Sequence, residues 1–475
     1  MSKAHPELTA LASRGGVYLG LRYGLGALIS FANMFVLTRW IGPHDYGLFV
    51  TALGLTSFLA TLTRAGIDTY LVRAESEPDE HTYHVASTLI LGLSLVLVGC
   101  GVATVPLLTA WFGNREFLPA YLATLLTVPL AGLAGPATAK LERALNFRAV
   151  AGIELGGQTL ALLVSVTLAA RGLGVWAPVV GLLAWQSWAA AGALTKAKLV
   201  PRPAFDLTKA QRMLSFGIGY SAALRVWQLR TLVNPLLVGR FAGPEGAAFV
   251  ALSIRVAEGL GFVRVAAGRI AIAALSHLRD DRTRFQSALE NGLKLQILAL
   301  GPLLCLFALA APAVVPRLLG ARWMPSLWIY PFVAAGVLVN SLYNLQASGL
   351  FVAGKQWVVL RAYTAHVLVL GIGTLVFVPW VGIVGYGWAE LIACGAYAIL
   401  HAGVRGVVPL RYRNLGVLTC AFLLPPFALL LEQRWRTALW IPLIALTGFE
   451  LWKKGSQFRR SSINAPAQEF VPFLP

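Results

Sequence analysis

The sequence predicts an all-α polytopic membrane protein of about fourteen transmembrane helices, arranged as two six-helix lobes related by an internal parallel repeat plus two C-terminal helices. Three observations carry this reading. Of 475 residues, 57% are hydrophobic and 12% charged, and mean hydropathy is +0.70, whereas a soluble domain carries about 25% charged residues. Apolar stretches near the ~20 residues that cross a bilayer recur along the whole chain. Landmark residues recur about 200 positions apart.

The expected spans are 13–37, 47–71, 85–108, 120–139, 150–169, 175–195, 213–239, 246–275, 288–315, 327–352, 357–378, 383–403, 415–431 and 437–452. The longest polar connection runs from Lys196 to Arg212, too short for a soluble domain. The N-terminus is polar and the first apolar stretch is long enough to span, so no cleavable signal peptide is expected.

With the N-terminus in the cytoplasm, the connections on the inner side hold 22 Lys and Arg residues and those on the outer side 8, and every loop lysine lies inside. The positive-inside rule therefore places both termini in the cytoplasm of a multi-pass protein. The acidic loop Glu75, Glu77, Asp79, Glu80 lies on the same side, but acids weigh little in this rule. The net charge of +19 is dispersed over short loops, which argues against a nucleic-acid partner. The four cysteines, Cys100, Cys305, Cys394 and Cys420, all lie in apolar stretches and show neither metal spacing nor a disulfide framework.

The repeat is seen in Thr38-Arg-Trp-Ile-Gly-Pro43 before the second span and Gly239-Arg-Phe-Ala-Gly-Pro244 before the eighth, with Arg39/Arg240, Gly42/Gly243 and Pro43/Pro244 coincident at a spacing of 201 residues. Gly113 with Pro119 answers Gly320 with Pro325, and Gly172 with Trp176 answers Gly382 with Tyr386. The domains expected are a first lobe, 1–203, a second, 204–404, two extra helices over 405–452 and a cytoplasmic tail, 453–475. An even number of helices per copy makes the repeat parallel. Gly24 and Gly26 on span 1, with Gly217 and Gly219 on span 7, are candidates for a seam between lobes or for ordinary packing within one.

Seven arginines lie deep inside spans: Arg22, Arg64, Arg225, Arg230, Arg255, Arg264 and Arg269. Each costs about 3 kcal/mol on the insertion scale if it faces lipid. All fall on spans 1, 2, 7 and 8, which are repeat mates, and a parallel repeat brings mates face to face across a central cleft. At ~100° per residue Arg255, Glu258 and Arg269 share a face of span 8, and Arg264 points away. Arg22, Arg64, Arg225, Arg230, Arg255 and Arg269 are therefore the candidate ligands of an anionic substrate, phosphate above all, because guanidinium binds its oxygens bidentately. Arg64 has a local alternative in Asp68, and Arg255 one in Glu258. Asp68 and Glu258 are candidates for ion coupling; Glu154 and Glu390 are open to the same role or to structural hydrogen bonding.

The run Phe35-Val-Leu-Thr-Arg-Trp-Ile-Gly-Pro-His-Asp-Tyr-Gly-Leu-Phe49, the run Gly66-Ile-Asp-Thr-Tyr-Leu-Val-Arg73 and Leu141-Glu-Arg-Ala-Leu-Asn-Phe-Arg148 resemble the polysaccharide transporter family. That family includes the Wzx-type O-antigen and exopolysaccharide flippases of the multidrug/oligosaccharidyl-lipid/polysaccharide flippase superfamily. The resemblance implies two lobes forming a V, alternating access, and a location in the bacterial inner membrane. It implies transfer of an undecaprenyl-pyrophosphate-linked oligosaccharide to the periplasmic leaflet. Partners implied are the lipid-linked anionic oligosaccharide, membrane lipid, and a polysaccharide polymerase with other assembly proteins. Lipid-linked-peptidoglycan flippases of the superfamily line a cationic cavity from spans 1, 2 and 8, where Arg22, Arg64 and Arg255 stand here. The second copy departs from the motif, since Pro244 is followed by Glu-Gly-Ala.

Two other functions fit the span count. A drug/cation antiporter of the same superfamily is disfavoured by an arginine-lined cavity. A membrane polymerase or ligase is disfavoured because no outer loop exceeds about a dozen residues. The chain carries no Walker A sequence and no HExxH or Ser/His/Asp arrangement. The expectation is a transporter without enzymatic activity, cofactor or metal.

Overall fold

Hydrocarbon offers backbone amides no partners but each other, and this chain answers with helices. The computed structural model describes residues 6–74, 76–261, 275, 278, 281–410, 413–431 and 437–440, with side chains described outside 6–23, 216–221, 413–414 and 437–438. Among the described residues the ordered elements are all helical. They are α1 (Pro6–Arg64), α2 (Ile67–Arg73), α3 (Glu80–Ala103), α4 (Val105–Phe112), α5 (Leu118–Leu125), α6 (Thr127–Arg143), α7 (Phe147–Ala170), α8 (Trp176–Ala197) and α9 (Leu207–Gln228). After them come α10 (Gly239–Phe241), α11 (Gly243–Leu260), α12 (Arg282–Leu318), α13 (Ser326–Val352), α14 (Gln356–Val381), α15 (Val384–Ala393), α16 (Ala398–Arg405) and α17 (Arg413–Leu423).

Nine described helices are long and apolar enough to cross a membrane. The expected count of fourteen is higher partly because α1 holds two crossings. Its apolar part, Gly24–Arg64, has 41 residues, about 60 Å of helix against a core of about 30 Å. The helix breaks at Gly42, whose φ of 80° and ψ of 174° suit glycine, and Pro43 follows. Neighbours show that the chain turns back there. Gly26 faces Gln158, Leu37 packs with Ala169 and Ala177, and Arg64 returns to the level of Val150 and Glu154. Expected span 7, 213–239, is also interrupted: α9 ends at Gln228, Leu229–Leu232 is a turn of 3-10 helix and Asn234–Val238 a turn of π-helix. Pro235 explains the break, because it has no N–H and its ring excludes the carbonyl four residues back. Expected span 13 corresponds to the short apolar stretch Leu415–Leu430. Most of span 14, the end of span 8 and the tail 453–475 lie outside the described residues.

The landmark glycines of the two sequence copies all have positive φ. Gly42 and Gly243, Gly113 and Gly320, and Gly172 and Gly382 all have φ between 64° and 102°. One core gathers Ile67, Tyr83, Ile90, Leu141, Val150 and Leu199 from the first copy and takes in Met213 of α9. A second, larger core runs from Tyr46 and Phe49 through α11 to α13 and Phe422. Within it α13 is the central helix, with 78% of its apolar window buried.

At the end bearing the Gly42–Pro43 turn, α1 and α11 are in direct contact. A Cβ built on Gly47 would lie 1.8 Å from the Pro244 carbonyl oxygen, so only glycine fits. Trp323 Nε1 donates to the Thr38 carbonyl at 2.9 Å, and its ring meets Tyr46 and Phe249 edge-on. Arg39 donates to the Arg317 carbonyl at 3.2 Å, and Arg322 donates to the Arg39 carbonyl. Gly26 packs on Gln158 of α7, within its own half, and a Cβ on Gly24 would meet nothing within 4 Å; the proposed seam partners Gly217 and Gly219 lie outside the described side chains.

At the opposite end, α3, α7, α9 and α12 each start on an Asp or Asn cap: Asp79, Asn146, Asp206 and Asp281 accept from backbone N–H groups of their first turns. Asp79 also accepts from the Thr82 hydroxyl and from Lys209 Nζ at 3.0 Å, which ties the start of α9 to α3. The Thr82 hydroxyl, then Lys209 and the Thr82 amide, hold the Asp79 carboxyl down at about 2, below its ordinary 3.8. A depressed carboxylate contributes stability above its unfolded pKa and loses it as pH falls through the folded one.

Two outcomes follow. Gly47→Ala forces the α1–α11 contact apart and is expected to lower stability by about 1–3 kcal/mol, read as a lower unfolding midpoint in detergent. Asp79→Asn is expected to lower the melting temperature at neutral pH. The gap to wild type closes between pH 3.8 and about 2, the window set by the shift of Asp79. A gap that persists unchanged at pH 2 contradicts the assignment.

Candidate functional site

Spans 1 and 2, both in α1, pack against α11 and the broken segment after α9. Gly259 faces the Phe31 ring, and Gly54 faces Pro235. The four helix segments that carry the deep arginines are thus neighbours. Within that group the individual arginines differ.

Arg230 sits on the 3-10 turn where α9 breaks, its side chain 12% exposed. It faces two carboxylates: Glu258 of α11 and Glu390 of α15, each at 3.8 Å. These are ion pairs, too long for hydrogen bonds. The guanidinium also lies 4.7 Å from the Trp227 ring centroid. Trp227 leads to His366 at 5.0 Å, which stacks on Tyr397 at 5.0 Å. His366 Nδ1 donates to the Ala393 carbonyl at 3.0 Å, and Asn340 donates to the Tyr397 hydroxyl at 2.6 Å. Two acids thus share one cation inside the membrane-spanning region, and the Glu390 Oε2 atom has no hydrogen-bond partner among the described residues. Arg230 pairs with both acids of this cluster, and Glu258 pairs with it rather than with Arg255.

Arg64 approaches Asp68 to 3.9 Å, as i,i+4 spacing allows. Both line a pocket of about 430 Å³ with Glu142, Glu154, Trp185 and Gln186. That pocket is made wholly from elements of the first copy. Arg225, in the last turn of α9, is half-buried, and its Nη2 has no hydrogen-bond partner among the described residues. Arg255 is exposed on α11 and makes no ion pair among the described residues. The side chain of Arg22, and all of Arg264 and Arg269, lie outside the described residues.

Residues 36–327 match the family described as "Polysaccharide biosynthesis protein". The chain belongs to this family. A curated relative, the succinoglycan biosynthesis transport protein ExoT of Rhizobium meliloti (strain 1021), is 26% identical over 386 residues, covering 76% of each chain. Among solved structures this family member is similar to the lipid II flippase MurJ in an inward closed conformation, with a TM-score of 0.72 at 16% identity over 95% of this chain and 99% of that one. A transporter of the multidrug/oligosaccharidyl-lipid/polysaccharide superfamily from Pyrococcus furiosus Vc1 (DSM3638) gives 0.54 at 13% identity over 86% and 99%. An outward-facing multidrug resistance transporter of that superfamily gives 0.53 at 15% over 86% and 99%. These likenesses establish the fold, and with it a multi-pass membrane protein.

The sequence offers Glu390 as a candidate without a partner. Nothing local signals the cluster, because Arg230 and Glu390 are 160 residues apart. The signal that was available is the lone proline at 235, which marks a broken helix beside a charged residue.

Arg230→Met leaves the buried Glu390 carboxylate uncompensated and is expected to cost about 3–5 kcal/mol of stability. Adding Glu390→Gln should recover a substantial part of that loss, measured by unfolding in detergent as a double-mutant cycle. Strict additivity contradicts the pairing.

Proposed function

We propose that this family member is a flippase, moving an undecaprenyl-pyrophosphate-linked oligosaccharide from the cytoplasmic to the periplasmic leaflet of the bacterial inner membrane. The product feeds O-antigen, capsule or exopolysaccharide assembly, in company with a polymerase and other assembly proteins. The observation that carries the reading is the state of Arg225. A guanidinium deep in a span, half-buried, with Nη2 unpartnered, needs an anion. Arg255, exposed on the neighbouring α11, supplies a second fork, and Arg22 stands on the repeat mate of α9. Pyrophosphate offers enough oxygens for two or three such groups. Family membership, the transport role named for the succinoglycan relative and the lipid substrate named for the structural neighbour all support this reading.

The lobes in this proposal are residues 1–203 and 204–404, rocking about the cavity between them, with both termini in the cytoplasm. In that orientation the Trp323–Thr38 and Arg39–Arg317 contacts lie at the periplasmic end and close it. Arg64 and Arg230 act less directly, each held by acids. Asp68 and Glu258 are the ion-coupling candidates, because protonating either loosens an arginine. Arg269 keeps its assignment as a cavity ligand from the sequence pattern alone. The protein works as a transporter and carries out no covalent chemistry.

The test is translocation of lipid-linked oligosaccharide in proteoliposomes and polymer export in cells. The Arg225→Ala, Arg255→Ala double variant is expected to lose transport by at least about tenfold while inserting and melting like wild type. Lys at both positions should rescue only in part, since it keeps charge and loses the fork. Full transport by the double alanine variant refutes the reading.

A further inference from the structure

A second basic site lies on the first copy, on the α7 and α8 residues next to the Arg64 pocket, with Ile153 lining both. Helices α7 and α8 pack against each other, and at one end they part to leave a groove of about 750 Å³. Arg148 and Lys196 stand at its rim with Asn146 and Thr195, and none of its lining residues is acidic. All four rim residues are exposed, and neither cation makes an ion pair with a described residue.

Deeper in, the groove changes character. Its floor is Gly152, Ile153, Trp188, Ala191 and Gly192. Trp188 lies eight residues before Lys196, about 12 Å down the helix axis. Its indole rests on Gly156 and remains 47% exposed. A Cβ built on Gly152 meets nothing within 4 Å, so space at the floor is open. The groove therefore runs from two unpaired cations at a membrane face to an apolar trough inside the hydrocarbon.

We infer that this groove between α7 and α8 binds an anionic glycerophospholipid, its phosphate held by Arg148 and Lys196 and an acyl chain laid along Gly152 and Trp188. Basic pockets between spans on the cytoplasmic side take acidic headgroups in this way, and tryptophan favours the boundary between headgroup and chain. The absence of acid from the lining leaves a zwitterionic headgroup's ammonium without a partner. The apolar floor gives an acyl chain contacts that a free phosphate does not make. This inference is independent of the transported substrate, because none of the groove residues is among the proposed cavity ligands.

The full-length protein, purified in detergent, is titrated with phosphatidylglycerol, cardiolipin or phosphatidylcholine and examined by native mass spectrometry. Wild type is expected to retain a single phosphatidylglycerol or cardiolipin and to release phosphatidylcholine. Arg148→Gln with Lys196→Gln should weaken retention about tenfold or more, without lowering the melting temperature. Gly152→Leu, which fills the floor and leaves both charges, should weaken it as well, and if that variant melts early the double glutamine variant decides. Equal retention of anionic and zwitterionic lipid, or unchanged retention in the double glutamine variant, overturns the inference. So does displacement by inorganic phosphate at matched concentration, or preferential displacement by undecaprenyl phosphate, which would make the groove a carrier site.

Discussion

The bilayer core cannot hydrogen-bond a peptide group, and the rest of this architecture follows from that constraint. It makes the described chain helical and restricts where a helix can break. The 229–238 segment departs from α-helix inside the membrane-spanning region, yet its exposed polar groups are answered by neighbours. Trp111 Nε1 donates to the Leu236 carbonyl at 2.8 Å, and Asn234 donates to the Ala247 carbonyl at 3.1 Å. Ser and Thr hydroxyls along the spans donate back to carbonyls one turn earlier, as in Thr38, Thr56, Ser94 and Ser253. These hydroxyls close on their own helices, whereas the buried Gln296 amide finds no hydrogen-bond partner among the described residues.

Some of the charges in the spans are paired. Arg230 is held by two carboxylates and an indole face, and Arg64 lies beside Asp68. Arg225 and Arg255 have no such partners among the described residues, which separates them from Arg64 and Arg230. Arg225 and Arg230 differ in this way although they stand five residues apart in the chain, so depth in the membrane alone does not decide whether an arginine is paired.

The two ends of the molecule are built by different forces. At the Gly–Pro end, backbone meets backbone at Gly47 and Pro244, and aromatic edges around Trp323 join the halves. At the other end, capping acids and a lysine organise the helix starts, and a basic-rimmed groove opens between α7 and α8. Close backbone contact is sensitive to a single added methyl, whereas a capping network is sensitive to pH. The mechanical seam and the electrostatic end are thus separately adjustable.

Much of this was legible in the sequence because hydrophobic length and the period of a repeat are local properties. The spans follow from apolar runs, and the Gly42/Gly243, Gly113/Gly320 and Gly172/Gly382 pairs mark turns that need left-handed backbone, which glycine supplies without a Cβ penalty. The family resemblance likewise rests on a contiguous run, Phe35 to Phe49. The partners of charges were not legible, since Arg230 meets Glu390 only after 160 residues of chain have been folded back between them. Nor was the pocket that Arg64 lines, or the groove between Arg148 and Lys196, because both are volumes left where helices part. The sequence by itself determined which segments enter the membrane; the tertiary structure decided which arginines are neutralised there, because an ion pair depends on distance in space and not on position along the chain.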